Sequence, residues 1–255
     1  MKILLVSGHT SGHNVSKLTG YNEGDLNIEL VNLVYHLIHS YADVDIYPVE
    51  RDMYEDNIAG NLQVNFRDYD YILETHFNAY KDDGSARGTS IQLHTNYSKG
   101  ITVEQGIVDN IASYGFKKRG TNGITRRSDL ANMNTCYRLG VDYALLETCF
   151  YDSPDDMALY EKRKSGVAQG IAAAIIERFG LEYRGANHLL YYTVSGVAEN
   201  DSLNVRAIPN GAIIGTLKNG TCVIETGRGN DSDGDEWVEI FTGTISGFVW
   251  GDYIK

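Results

Sequence analysis

Four short stretches hold residues whose types could do chemistry: His9 in "VSGHTSGH", Glu23 in "GYNEGDLN", His76 in "ETHFNA" and Glu147 in "YALLETCF". Imidazole nitrogen and carboxylate oxygen both suit Zn²⁺, and two histidines with one acid leave a position open for water. A further carboxylate beside that water is placed to take its proton and pass it on. Each residue also has a plainer use. A histidine at a strand end ordinarily makes a hydrogen bond. Glu23 and Asp25 are acids of the kind a helix dipole favours in its first turn. Glu147 sits among apolar residues, and an ion pair with Arg126 or Arg127 would offset the cost of burying it. Spacing alone does not make these residues converge. His13, close to His9 on the same loop, competes as a ligand, and His94, ending a predicted strand, is a weaker candidate. His36 and His39 fall in or at the end of a predicted helix, as surface or capping residues. Cys149, near Glu147, is either a nucleophile or a buried reduced thiol on a strand.

Elements that alternate along the chain must position these groups. "KILLVSG" reads as a buried strand ending just before His9. Leu26, Leu30, Leu33, Val34 and Leu37 recur at the helical period, which predicts a helix from Asp25 to about Tyr41. "DVDIYPV", "YDYILETHF" and "GTSIQLHTN" read as strands, followed by a helix from about Thr102 to Tyr114. "DYALLETCFY" has the continuous apolar texture of a strand buried on both faces. Ser153 then stands at an N-cap, Pro154 at the first helical position and Gly180 at the C-cap, so a helix spans the interval to about Phe179. The expectation is an α/β domain over residues 1–180, with a mostly parallel or mixed sheet flanked by helices. Strand C-terminal edges, where such sheets build their sites, then carry His9 and His76.

Residues 181–190 break the alternation and read as a linker. From 191 to 255 short β-rich runs recur, punctuated by Gly, Asn and Asp, as in a small all-β barrel. Within it "NDSDGDEW" alternates Asp231, Asp233 and Asp235, but Glu236 stands where a calcium loop needs glycine, so a solvated hairpin tip is expected. Trp237, Trp250 and Tyr253 serve either a ligand-facing patch or core packing.

Composition narrows the class. The chain has 255 residues, is 42% hydrophobic and carries a net charge of −12. That balance argues against a nucleic-acid partner, since a phosphate backbone selects excess Lys and Arg. No apolar run reaches the length of a membrane span. The three cysteines, Cys136, Cys149 and Cys222, form no Cys-x-x-Cys pair, which argues against a disulfide framework or a thiolate metal site.

The four quoted stretches, the last extended to "LLETCFYDSPDDM", resemble in order the motifs of the type-3 N-acetylmuramoyl-L-alanine amidases over roughly residues 1–180. The resemblance implies a zinc amidase fold, with His9, Glu23 and His76 as Zn²⁺ ligands and Glu147 as the catalytic carboxylate. It also implies a place for Asn78 in shaping the substrate site. The substrate implied is bacterial peptidoglycan, cut between N-acetylmuramic acid and L-alanine. One departure is visible: the family usually opens Asp-Pro-Gly-His-Gly-Gly, whereas here Ser7 and Gly8 precede His9, and Thr10 and Ser11 follow. Shortened openings of this kind resemble those of clostridial phage lysins. The tail, with "LNVR", "GTLKNG" and "GFVWGDYI", is similar to bacterial SH3-type wall-binding modules, its wall ligand unspecified. A phage endolysin of this kind is expected in the host cytoplasm until a separate holin gives it access to the wall, and "MKILLVSGHTSGH" is too short an apolar run for an export signal. Two other readings stay open: a zinc carboxypeptidase or endopeptidase acting on stem peptides, and a catalytically dead wall-binding protein.

Overall fold

The computed structural model describes residues 1–184, 190–242 and 245–255, with the side chains of Leu190 and Tyr191 left aside. The chain divides into two compact units, Met1–Arg184 and Gly185–Lys255. Of the expected linker, residues 181–184 fall in the first unit, and 185–189 lie outside the described residues.

In the first unit the strands are β1 (Lys2–Ser7), β2 (Asp43–Ile46), β3 (Tyr71–Asn78), β4 (Ser90–His94), β5 (Ile124–Arg127) and β6 (Asp142–Phe150). The helices are α1 (Glu23–Ile38), α2 (Met53–Ala59), α3 (Thr102–Ser113), α4 (Ala131–Leu139) and α5 (Pro154–Phe179). The six strands form one sheet in the order β2-β1-β3-β6-β4-β5. β2, β1, β3 and β6 are mutually parallel, β4 runs antiparallel to β6, and β5 is parallel to β4. The domain is therefore an α/β structure on a mixed sheet.

Side chains alternate across a strand, so Ile72, Glu74 and His76 share one face of β3 while Leu73, Thr75 and Phe77 take the other. On the first face Leu4, Val6, Ile72, Tyr143 and Leu145 bury against Met53, Met133 and Cys136, which α2 and α4 bring in. α1, α3 and α5 cover the opposite face. α5 starts and stops by local chemistry: the Ser153 side chain accepts from Asp156 N, Pro154 opens the first turn, and Gly180 closes in the left-handed conformation.

Three elements carried no clear sequence signal. α2 ("MYEDNIA"), β5 ("ITRR") and α4 ("ANMNTCYRL") are short and polar, with too few periodic apolar residues to stand out. α1 also differs from expectation. It begins at Glu23 because the Asn22 side chain caps it by accepting from Asp25 N, and it ends at Ile38.

The second unit is a six-stranded antiparallel sheet, ordered β7-β10-β11-β12-β8-β9. Its strands are β7 (Leu190–Thr193), β8 (Leu203–Arg206), β9 (Ile213–Leu217), β10 (Cys222–Asn230), β11 (Glu236–Phe241) and β12 (Ser246–Trp250). Val194, Val205, Val223, Val238, Ile240 and Val249 form its core. At the β10–β11 tip the Asp231 carboxylate accepts from Asp233 N, Asp235 N, Asn210 Nδ2 and Trp237 Nε1. Its oxygens are thus spent on the hairpin and on Asn210 of the β8–β9 connection.

Candidate metal centre

His9 follows β1 directly and adopts φ 63°, in the left-handed region where histidine is among the better tolerated residues. Gly8 before it is pinned from both sides: its N–H donates to Thr75 O at 2.8 Å and its carbonyl accepts from Asn27 Nδ2 at 2.8 Å. The His76 ring lies over Gly8 so closely that a Cβ there would sit 2.3 Å from its Cε1. Gly24 does the same for the helix: a Cβ there would stand 1.9 Å from Thr10 O. These two glycines allow the loop after β1, the start of α1 and the end of β3 to meet.

At their meeting point the Glu23 carboxylate lies between the two imidazoles. Its Oε1 is 2.8 Å from His76 Nδ1 and its Oε2 is 3.4 Å from His9 Nε2. The two rings stand edge to face, 5.1 Å between centroids. Among the described residues, these three offer one ligand atom each with all such atoms within 4.8 Å of one another. Neighbouring ligands of a tetrahedral zinc, with bonds of about 2.0–2.1 Å, lie about 3.3 Å apart. The two His–Glu contacts, made to different oxygens of the one carboxylate, are close to that figure, and the N,N,O donor set suits the ion.

The rest of each group is held by protein. Asn14 Nδ2 donates to Glu23 Oε2 at 2.8 Å, and Phe77 N donates to Oε1 at 3.2 Å. His9 Nδ1 faces Asp52 Oδ2 at 3.3 Å, and His76 Nε2 faces Glu74 Oε1 at 3.0 Å. Asp52 is itself fixed as the N-cap of α2, accepting from Tyr54 N and Glu55 N. Without an ion the electrostatics are those of tight acid–base contact. The hydrogen bond His9 donates to the Asp52 carboxylate raises the His9 pKa, against the effect of burial. Burial pulls His76 down, but the flanking Glu23 and Glu74 carry it well above its ordinary value. Burial pushes Glu23 up, and the two histidines with Asn14 bring it below the usual carboxylate range.

Glu147 on β6 is the register partner of His76 on β3. Burial raises its pKa to about 7. Its Oε1 accepts from Gln92 Nε2 at 3.2 Å, while its Oε2 is buried with no hydrogen-bond partner. The alternative reading of Glu147, an ion pair with Arg126 or Arg127, finds no direct contact. Arg127 Nη1 donates to Gln92 Oε1 at 2.9 Å and reaches Glu147 only through that amide, and Arg126 donates to the carbonyls of His94 and Tyr97. Glu147 is therefore a half-buried carboxylate with one enclosed, unpartnered oxygen and no direct hydrogen bond to a cation.

The other candidates separate. His13 lies 6.4 Å from His9 between ring centroids, and its Nδ1 meets Thr10 Oγ1 at 2.7 Å. His94 lies toward the opposite end of the sheet, stacked on Tyr137 at 3.8 Å. His39 caps the far end of α1, and His36 is in its last turn. Asn78 ends β3 beyond an irregularity in the β3–β6 pairing, and its carbonyl accepts from Tyr151 N at 2.9 Å. Cys149 is wholly buried, and burial pushes its thiol well above its ordinary pKa, which disfavours a thiolate nucleophile. The sequence alone gave no role in the site to Gly8, Asn14, Gly24, Asp52, Glu74 or Gln92. Of these only Glu74 carried a readable signal, since it stands two residues before His76 and so shares its face.

A profile of the N-acetylmuramoyl-L-alanine amidase family matches residues 3–177. The chain belongs to that family. This chain is 29% identical over 189 residues to "Probable autolysin PH" of Staphylococcus aureus strain NCTC 8325 / PS 47, a match covering 68% of this chain. It spans only 38% of that relative's length. Among solved structures, the catalytic domain of CD27L, an endolysin targeting Clostridia difficile, is 25% identical with a TM-score of 0.56, covering 69% of this chain and 97% of that one. The N-acetylmuramoyl-L-alanine amidase of Clostridium difficile 630 shares the fold at 17% identity and a TM-score of 0.57, over 70% of this chain and 96% of that one. Among the described residues of the amidase chain, no helix is long and apolar enough to cross a membrane.

Proposed function

We propose that this chain is a zinc-dependent peptidoglycan hydrolase that cleaves the amide between the lactyl group of N-acetylmuramic acid and L-alanine. The observation that carries the reading is the convergence of His9, Glu23 and His76 on one point, with Glu147 their neighbour across the sheet. His9, Glu23 and His76 would hold Zn²⁺, which when bound supplies Lewis-acid polarisation of a water and of the substrate carbonyl. Glu147, with a pKa near neutrality and a free buried oxygen, accepts the water's proton as the water oxygen adds to the carbonyl carbon. The carbon–nitrogen bond then breaks, and Glu147 returns that proton to the departing amine of L-alanine. Gln92 holds the other oxygen of Glu147 and so aims the free one.

The second unit is the proposed wall-binding module. Its antiparallel sheet and its sequence resemblance to SH3-type modules support that role, and the likeness of the first unit to CD27L supports an endolysin. Mass spectrometry of digested peptidoglycan tests the activity. An amidase releases intact stem peptides with free L-alanine amino termini, whereas a carboxypeptidase or endopeptidase shortens or opens the peptides. Glu147→Ala should keep zinc and lose hydrolysis; cleavage at the wild-type rate refutes its role.

A further inference from the structure

Glu74 is a carboxylate that the reaction does not use, placed where a charge is costly. It is 3% exposed, on the face of β3 that otherwise packs into the apolar core of Ile72, Tyr143 and Leu145. Both oxygens are committed. Oε1 lies 3.0 Å from His76 Nε2, and Oε2 accepts from Tyr143 OH at 2.6 Å and Asn132 Nδ2 at 2.9 Å. Asn132 is braced in turn, its Oδ1 accepting from Asn57 Nδ2 at 3.0 Å. The chain of contacts therefore runs from α2 and α4, through Glu74, to one nitrogen of His76. The other nitrogen, Nδ1, is the one that faces Glu23.

We propose that Glu74 is a positioning residue of the metal centre, an inference that rests on the zinc reading of the site. Glu74 has no donor of its own, so it demands the hydrogen on His76 Nε2. That demand leaves the Nδ1 lone pair free for an ion and fixes the ring plane. A carboxylate on the far nitrogen also raises the basicity of a metal-bound imidazole, and loss of such a partner typically weakens metal affinity by about 10–100-fold. His9 has a counterpart in Asp52, but at 3.3 Å and between less buried side chains, 31% and 24% exposed. Glu74 is the more tightly built of the two.

Glu74→Gln is the sharp test, because it preserves size. The amide oxygen can still accept from Tyr143 and Asn132, which turns the NH₂ group toward His76 Nε2. A donor there requires Nε2 to accept, moving the hydrogen to Nδ1, where it blocks the ion. Zinc affinity is measured by competition with a chromophoric chelator, the visible spectrum of the Co²⁺-substituted protein reports ligand geometry, and thermal unfolding of metal-stripped protein reports the fold. The expected result is an affinity about 10–100-fold weaker and an altered cobalt spectrum, with metal-free unfolding within a few degrees of wild type. If E74Q does not fold, Tyr143→Phe, which removes one of the donors holding Glu74, carries the test with an expected loss of about 3–10-fold. Wild-type affinity and an unchanged cobalt spectrum in E74Q, or in Y143F where only that variant folds, overturn the inference while leaving the zinc reading intact. Failure of the wild-type protein to bind stoichiometric zinc overturns the reading and the inference together.

Discussion

Gly8→Ala puts the packing argument for the site at greatest risk. Glycine is needed here for space, because a Cβ at this position would stand 2.3, 2.4 and 2.6 Å from Cε1, Nε2 and Nδ1 of His76. Ordinary contact between such atoms is about 3.5–4.0 Å, so something must retreat by roughly 1 Å. The Gly8 backbone is held on both sides, by Thr75 O and by the Asn27 amide. The His76 ring is held by Glu23 and Glu74. The ring is the more movable of the two, and displacing it takes Nδ1 out of place. Metal bonds tolerate about ±0.2 Å, and a 1 Å misplacement at a reacting centre costs about 100-fold in rate. Gly8→Ala is therefore expected to lose bound zinc on dialysis and to lower hydrolysis at least about 100-fold, with the far-ultraviolet dichroism of the wild type. Elemental analysis and clearing of a peptidoglycan suspension measure the two effects. Wild-type zinc content and rate in this variant would show that the ring does not sit over Gly8 in the working protein.

Stripping metal with a chelator should lower the unfolding temperature of the first unit. At free zinc of 1,000 times Kd, binding contributes about 4 kcal/mol, roughly 8–16 °C for a domain of this size; an unchanged transition counts against a bound ion. Glu104 on α3 is 2% exposed and its Oε2 has no partner. Tyr71 OH, the nearby hydroxyl, influences its ionisation but also meets no hydrogen-bond geometry. Burial raises the Glu104 pKa above its ordinary value, so the folded state holds the proton to higher pH than the unfolded state. Stability is undiminished below the unfolded pKa near 4.5 and falls as pH rises through the folded value. Glu104→Met should then gain about 1–3 kcal/mol at pH 7.5 and little at pH 4.5, read from urea melts; a gain equal at both pH values would point away from charge burial. In the second unit Trp250 is 43% exposed and stacks at 6.3 Å on the buried Trp237. Trp250→Ala should weaken sedimentation with purified walls by about 30-fold with little loss of fold, as for an aromatic anchor worth about 2 kcal/mol; unchanged binding removes Trp250 from the ligand face.

Much of this was readable along the chain. The strand that leads into His9 and the strands bearing His76 and Glu147 announce themselves because apolar runs bounded by Gly, Ser and Asp are strong local signals, and α5 is written in its Ser153-Pro154 start and Gly180 stop. α2 and α4 were not readable, because their apolar contacts are few and are made with distant strands. The residues that serve the site from those helices, Asp52 and Asn132, went unseen with them. The Glu147 environment was half readable: the apolar flanks show a costly carboxylate, but not that Arg127 reaches it only through Gln92.

By itself the sequence determined the alternation of strands and helices, the caps and turn residues, and the inventory of imidazoles and carboxylates at strand ends. These are local properties, set by side-chain period, backbone preference and solvation within a few residues. Only the tertiary structure decided which of those groups share a point in space. That depends on a parallel sheet register placing residue 76 beside residue 147, on two glycines thin enough to let a loop, a helix and a strand touch, and on a carboxylate two residues from a histidine turning inward to hold it. Such contacts join residues up to about seventy positions apart, and their energies exist only once the chain between them has folded.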